Sequence, residues 1–145
     1  MDSSLPKDQS KYDLQEFISG FNNDSEVKKV LKQIGVRPSK GMGQNFLIDP
    51  SVSESIVGAL NIDSDDIIVE IGPGLGALTR HLIGKAKKLV LIEYDRGIYE
   101  YLSEVLSGVD GVVVVHQDAV TFDVRPFYAQ GIVKVIGNLP YSCGT

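Results

Sequence analysis

The 145-residue chain has one cysteine, Cys143, no tryptophan and two histidines. A single thiol excludes an intramolecular disulfide framework and a cysteine-based zinc cluster, and it fits a reducing compartment. No apolar run approaches the ~20 residues of a membrane-spanning helix, and the polar start Met1-Asp2-Ser3-Ser4 has no signal-peptide core. Positive charge is also scarce, 14 Lys+Arg against 19 Asp+Glu for a net charge of -5. That balance argues against a nucleic-acid partner, because phosphate binding calls for a basic surface. The distribution changes the argument: residues 1–26 sum to -4, residues 27–48 to +5 with no acidic residue, and residues 49–145 to -6. One short basic segment is set in an acidic chain. There is no internal repeat and no low-complexity tract, and the length suits one domain of ordinary size. The expected class is soluble, intracellular and globular.

Residues 1–24 are polar and weakly periodic, which predicts a loosely ordered arm with one short helix carrying Leu14, Phe17, Ile18 and Phe21. After Ser25 the spacing Val27, Val30, Leu31, Ile34 is helical and ends at Gly35 and Pro38, with Lys28, Lys29 and Lys32 off the apolar stripe. Lys40 to Ile48 is rich in turn residues and predicts a loop with an apolar plug, Phe46 and Leu47. Asp49 is placed as an N-cap, with Pro50 at the first helical position and Glu54 in the first turn. Val52, Ile56, Val57 and Leu60 form the expected buried face of that helix. From residue 66 short apolar runs alternate with amphipathic stretches. Strands are expected at 67–71, 89–92, 112–115 and 132–136, with one helix carrying Leu75, Leu78, Leu82 and Ile83 and another carrying Ile98, Tyr101, Leu102, Val105 and Leu106. Strands apolar on both faces and separated by helices predict an α/β doubly wound parallel sheet. Ligands of such sheets bind beyond the carboxyl ends of the strands.

The chemistry gathers there. Glu70-Ile71-Gly72-Pro73-Gly74-Leu75-Gly76 closes the first strand and opens a helix, where Gly72 and Gly74 let a cofactor approach the backbone. Glu93 ends the next strand, where a carboxylate can take both ribose hydroxyls of an adenosine. A dinucleotide loop wants its third glycine three positions after the second, whereas Gly76 follows Gly74 by two. Pyrophosphate would also be repelled by Glu70. S-adenosylmethionine carries no phosphate and is a net cation, which Glu70, Glu93 and Asp118 would attract. Asp118, after the third strand, is placed to accept from an adenine amino group or to cap a turn. The fourth strand ends in Gly137-Asn138-Leu139-Pro140-Tyr141. The Asn138 side-chain carbonyl and the Leu139 backbone carbonyl can accept both N–H hydrogens of an exocyclic amine and favour a nucleophilic nitrogen. Pro140 fixes that backbone and Tyr141 can stack on a flipped base. Catalysis of this kind rests on in-line positioning and a dipolar site.

On these residues the chain resembles the ribosomal RNA adenine dimethyltransferases, specifically the small-subunit enzymes of bacteria and organelles. The matching stretches are Gly43 to Asp49 (G-Q-N-F-L-I-D), Glu70 to Thr79 (E-I-G-P-G-L-G-A-L-T), Leu91-Ile92-Glu93, Gln117-Asp118-Ala119 and Asn138 to Tyr141 (N-L-P-Y). The resemblance implies a Rossmann-like class I methyltransferase fold using S-adenosylmethionine, with no metal. Two adjacent adenines near the 3' end of small-subunit rRNA, within a pre-ribosomal particle, would each receive two methyl groups on N6. It implies cofactor contacts at Asn45, Leu47, Gly72, Glu93, Asp118 and Asn138, with the Q-N-F-L loop closing over the cofactor. It also implies a cytoplasmic or organellar setting, no membrane contact and no indicated oligomer.

The match departs from the family after Tyr141, where Asn and Ile usually follow and Ser142-Cys143-Gly144-Thr145 stands here. The expected domain boundaries are 1–24 for the arm and 25–145 for the front portion of a methyltransferase domain, cut after the fourth strand and without the later strands or helical domain. On that reading the chain is a truncated product or partial sequence without activity of its own. Lys28, Lys29, Lys32, Arg37 and Lys40 have two readings, contact with rRNA backbone or a solvated surface. His81 and His116 are read as helix-surface and strand-end residues rather than ligands, and Cys143 as an unpaired thiol. Three alternatives remain: a large-subunit rRNA methyltransferase of the macrolide-resistance type, a non-catalytic rRNA-binding or transcription-accessory relative, and, more distantly, a dinucleotide oxidoreductase.

Overall fold

Four runs of aliphatic and β-branched residues form a parallel sheet in the computed structural model, which describes residues 12–36 and 49–137. The strands are β1 (Ile67–Ile71), β2 (Lys88–Glu93), β3 (Val112–His116) and β4 (Val133–Gly137). Their spatial order is β3-β2-β1-β4. The chain steps outward from β1 to β3 and returns to the other side of β1, so the order reverses between β1 and β4. Such a reversal opens a crevice at the carboxyl ends of the two strands, the place where doubly wound sheets bind ligands. The register pairs Ile71 with Ile92 on one side and with Gly137 on the other.

Period-two alternation sorts the strand side chains onto two faces. Ile68, Leu89 and Leu91 join the larger core with Leu78, Leu82, Ile98, Leu102 and Val105. Ile67, Val69, Val90 and Ile92 face the other way, against Phe122, Val124 and Phe127. Full burial of an aliphatic side chain contributes about 1.5–3 kcal/mol, so the near-continuous apolar strands supply much of the fold's stability.

Helices α1 (Leu14–Ser19), α2 (Asp24–Gln33), α3 (Pro50–Ala59), α4 (Thr79–Leu82) and α5 (Arg96–Val105) complete the described fold. Helix α2 is capped by Asn23 and ends at Gly35, whose φ of +77° permits paired bonds from Gly35 N to Lys32 O and Val36 N to Leu31 O. It buries Val27 and Leu31 and leaves Lys28, Lys29 and Lys32 exposed. Of the arm expected over residues 1–24, residues 1–11 lie outside the described part. From Asp13 onward the chain forms α1, with Phe17 buried.

Two local expectations are corrected. Leu75 and Leu78 are buried, but in a turn rather than a helix, because positive φ at Gly74 and Gly76 delays regular helix until Thr79. Helix α3 does start at Asp49-Pro50, yet its first turn holds no acidic residue, and Ser53 and Val57 are its buried positions. Val52 and Ile56 are exposed, since the side resting on the described core runs through Ser53 and Val57, one step around the helix from the Val52–Ile56 row.

Candidate functional site

The loop after β1 is built from glycines that adopt left-handed conformations, with φ of +67° at Gly72, +58° at Gly74 and +95° at Gly76. Side-chain-bearing residues rarely adopt these values, so the glycine spacing is what folds the chain back over the strand end. Gly72 N donates to Ile92 O at 2.9 Å and Gly76 N to Pro73 O at 3.0 Å. The loop is thus an extension of the sheet rather than a free turn.

Two carboxylates are fixed beneath and beside it. Glu93, at the end of β2, accepts from Gly74 N at 3.2 Å through Oε1 and from Asp95 N at 3.0 Å through Oε2. These bonds tie the loop after β1 to the start of α5, where Asp95 accepts from Ile98 N at 2.9 Å as the N-cap. A carboxylate offers about four acceptor positions, so Glu93 keeps capacity for a ligand's hydroxyls. Burial raises the Glu93 pKa, against the lowering effect of its backbone donors.

Glu70 lies deeper, 1% exposed, and accepts from Thr79 Oγ1 at 2.6 Å. Burial pushes its pKa up to about 7, opposed by the Thr79 hydrogen bond and reinforced by Glu93. At neutral pH it is therefore only partly ionised, a different condition from the open negative charge that its place beside the loop suggested. Thr79 had no role in the sequence reading, although it closes the E-I-G-P-G-L-G-A-L-T stretch. The Glu70–Thr79 bond spans the loop and pins the helix that follows it to the strand that precedes it.

Asp118 is exposed and caps the turn Ala119–Thr121, accepting from Val120 N at 3.0 Å through Oδ1. Both sequence readings of this acid remain compatible with its position, since one carboxylate oxygen suffices for the cap. His116, at the end of β3, stacks on Tyr99 at 5.1 Å and its Nε2 lies 3.0 Å from Tyr94 O. His81 lies on α4, half-buried. No group of three or more His, Cys, Asp or Glu suited to a metal occurs among the described residues. Gly72, Gly74, Glu93 and Asp118 thus stand along the carboxyl edge of the sheet. Asn45, Leu47, Asn138, Leu139, Pro140 and Tyr141 lie outside the described residues, as do Arg37 and Lys40. Gly137, which precedes Asn138 in sequence, is paired with Ile71 at the base of the glycine loop.

The family model described as ribosomal RNA adenine dimethylase matches residues 36–145. The chain belongs to this family. Within it, the chain is 41% identical over 121 residues to the ribosomal RNA small subunit methyltransferase A of Alkaliphilus metalliredigens, covering 81% of this chain and 42% of that protein. The corresponding protein of Clostridioides difficile is 37% identical over 125 residues, covering 83% of this chain and 43% of the relative. The chain thus spans about two fifths of the length of these curated relatives. Among solved structures, a dimethyladenosine transferase from Plasmodium falciparum matches with a TM-score of 0.54 and 29% identity over 66% of this chain and 34% of that one. The 23S rRNA methyltransferase ErmE matches with a TM-score of 0.50 and 32% identity over 53% of this chain and 32% of that one. The four-stranded parallel sheet and its helices are those of the Rossmann-like class I methyltransferase fold expected from the sequence.

Proposed function

We propose that the carboxyl edge of this sheet is the S-adenosylmethionine site of an rRNA adenine N6,N6-dimethyltransferase, acting on two adjacent adenines near the 3' end of small-subunit rRNA in a pre-ribosomal particle of the cytoplasm or an organelle. The observation that carries the reading is the Gly74 N–H bound to Glu93, which joins the glycine loop to the carboxylate here assigned to the ribose. The chemistry of the donor set fits this cofactor: a backbone loop without side chains in the way, an acid able to take two hydroxyls, and carboxyl groups rather than lysines beneath the loop.

When bound, S-adenosylmethionine supplies an electrophilic methyl group. Gly72 and Gly74 give it backbone to lie against, Glu93 holds the ribose hydroxyls, and Asp118 accepts from the adenine amino group with the oxygen that does not cap its turn. Asn45 and Leu47 close the site from the Q-N-F-L loop. The Asn138 side-chain carbonyl and the Leu139 carbonyl accept the hydrogens of the target amine, Pro140 fixes that backbone, and Tyr141 stacks on the flipped adenine. The residues thereby orient the nitrogen lone pair, and no nucleophilic side chain is called for. The lysines of α2 offer their exposed face to rRNA phosphates.

The test is transfer of labelled methyl groups from S-adenosylmethionine to unmethylated small subunits, using the protein at its relatives' full length and the 145-residue chain in parallel. The 145-residue chain is expected to give no transfer of its own. Asn138→Ala in the full-length protein is expected to abolish transfer, and undiminished transfer overturns the role given to Asn138. A second reading, methylation of large-subunit rRNA, is favoured by the likeness to ErmE. Mapping the modified nucleotide separates the two.

A further inference from the structure

Helix α1 and the segment that leads out of it precede residue 36, where the match to the family begins. A six-residue helix cannot sustain itself in water, because nucleation costs more than a single turn returns. It is held by Phe17, 1% exposed, whose ring packs against Tyr101 of α5 at 6.2 Å and against the glycine loop itself. The contact with the loop is intimate: a Cβ on Gly76 would fall inside the van der Waals envelope of the Phe17 ring.

A second close approach runs the other way. A Cβ on Gly20, the residue that ends α1, would lie 2.6 Å from the Arg80 guanidinium carbon. The same guanidinium donates from Nη1 to Gly76 O at 3.4 Å, and Arg80 N donates to that carbonyl at 3.1 Å. Gly76 is thus gripped by the Phe17 ring and by Arg80, while α1 is gripped by the loop's own helix. Two glycines, one on each partner, remove the side chains that would hold them apart.

We infer that Phe17 is a positioning residue for the cofactor loop: it backs Gly76 and sets the geometry in which Gly72 and Gly74 meet the ligand. The inference rests on the S-adenosylmethionine reading for its functional consequence but not for the contact. A cofactor that lies against backbone depends on that backbone's position, and displacements of about an ångström can cost orders of magnitude in a site. An upstream helix seated behind the loop therefore governs affinity without touching the ligand.

The experiment compares the 145-residue chain with Phe17→Leu, Phe17→Ala and Leu106→Ala. Leu106 is buried in the same core but follows the carboxyl end of α5, which leads away from the strand ends toward the start of β3. It supplies a control for loss of core packing alone. Two quantities are read: amide hydrogen exchange over residues 74–80 without ligand, and the Kd for S-adenosylmethionine by calorimetry. The expected result is loop exchange faster by about tenfold in Phe17→Leu and not in Leu106→Ala. Cofactor binding is expected to weaken by at least about tenfold in Phe17→Ala, and less in the conservative Phe17→Leu, with Leu106→Ala near the parent value. Should Phe17→Ala fail to fold, Phe17→Leu carries both readouts. Unchanged loop exchange in Phe17→Leu overturns the inference, as does equal weakening of binding by Phe17→Leu and Leu106→Ala. Fast loop exchange in Phe17→Leu together with a parent chain that binds no S-adenosylmethionine supports the contact and overturns the cofactor reading instead.

Discussion

Replacing Glu70 by glutamine should change the pH dependence of stability more than stability itself. In the unfolded chain the carboxyl ionises near its ordinary value of 4.5, and in the folded protein near 7, because burial penalises the charge. Between those values the native state binds more protons than the unfolded state. Stability from this group is therefore complete below about pH 4.5 and falls as pH rises through about 7, where it levels off. A shift from 4.5 to about 7 corresponds to roughly 3 kcal/mol, at 1.36 kcal/mol per pKa unit. Glutamine keeps the shape and an acceptor for Thr79 Oγ1 but cannot ionise, so its stability should lack this fall. The assay is urea unfolding of both proteins at intervals from pH 4.5 to 8. Relative to the parent, Glu70→Gln is expected to gain about 2–3 kcal/mol across that range. A difference between the two proteins that is flat with pH would refute the claim that burial controls this carboxyl.

Other outcomes follow from the same loop. Glu93→Ala removes the acceptor for Gly74 N and Asp95 N and should cost about 1–3 kcal/mol in denaturant unfolding while abolishing detectable S-adenosylmethionine binding in calorimetry. Gly76→Ala places a methyl group into the Phe17 ring at a φ of +95°, so a loss of about 2 kcal/mol or more is expected in thermal melts. Asp95→Ala removes the N-cap of α5 and should cost about 1 kcal/mol, visible as faster exchange of the first-turn amides.

The strands were legible because both faces of the sheet are covered, which writes them as unbroken aliphatic runs. Each observed strand lies within one residue of the expected span at either end. The helix after the glycine loop was placed too early, since Leu75 and Leu78 have helical spacing while the intervening glycines have left-handed backbone. The face of α3 was misjudged for a related reason: apolar spacing alone made Val52 and Ile56 core residues, whereas the packed row includes Ser53. The turn made by the glycine loop and the place of Glu93 at the end of β2 were readable from motif and position, because both are set by local sequence. The Glu70–Thr79 bond and the Phe17–Gly76 contact were not, because both depend on tertiary proximity. Burial likewise altered the meaning of Glu70, which sequence presents as a charge and the fold turns into a weak acid.

The proposed cofactor site depends on the glycine loop and Glu93 holding S-adenosylmethionine together. Calorimetric titration of the chain with S-adenosylmethionine and, separately, with NAD tests it most directly. One-to-one binding of S-adenosylmethionine that is lost in Glu93→Ala, with no response to NAD, is expected. Binding of NAD in its place, or S-adenosylmethionine binding indifferent to Glu93→Ala, would contradict it.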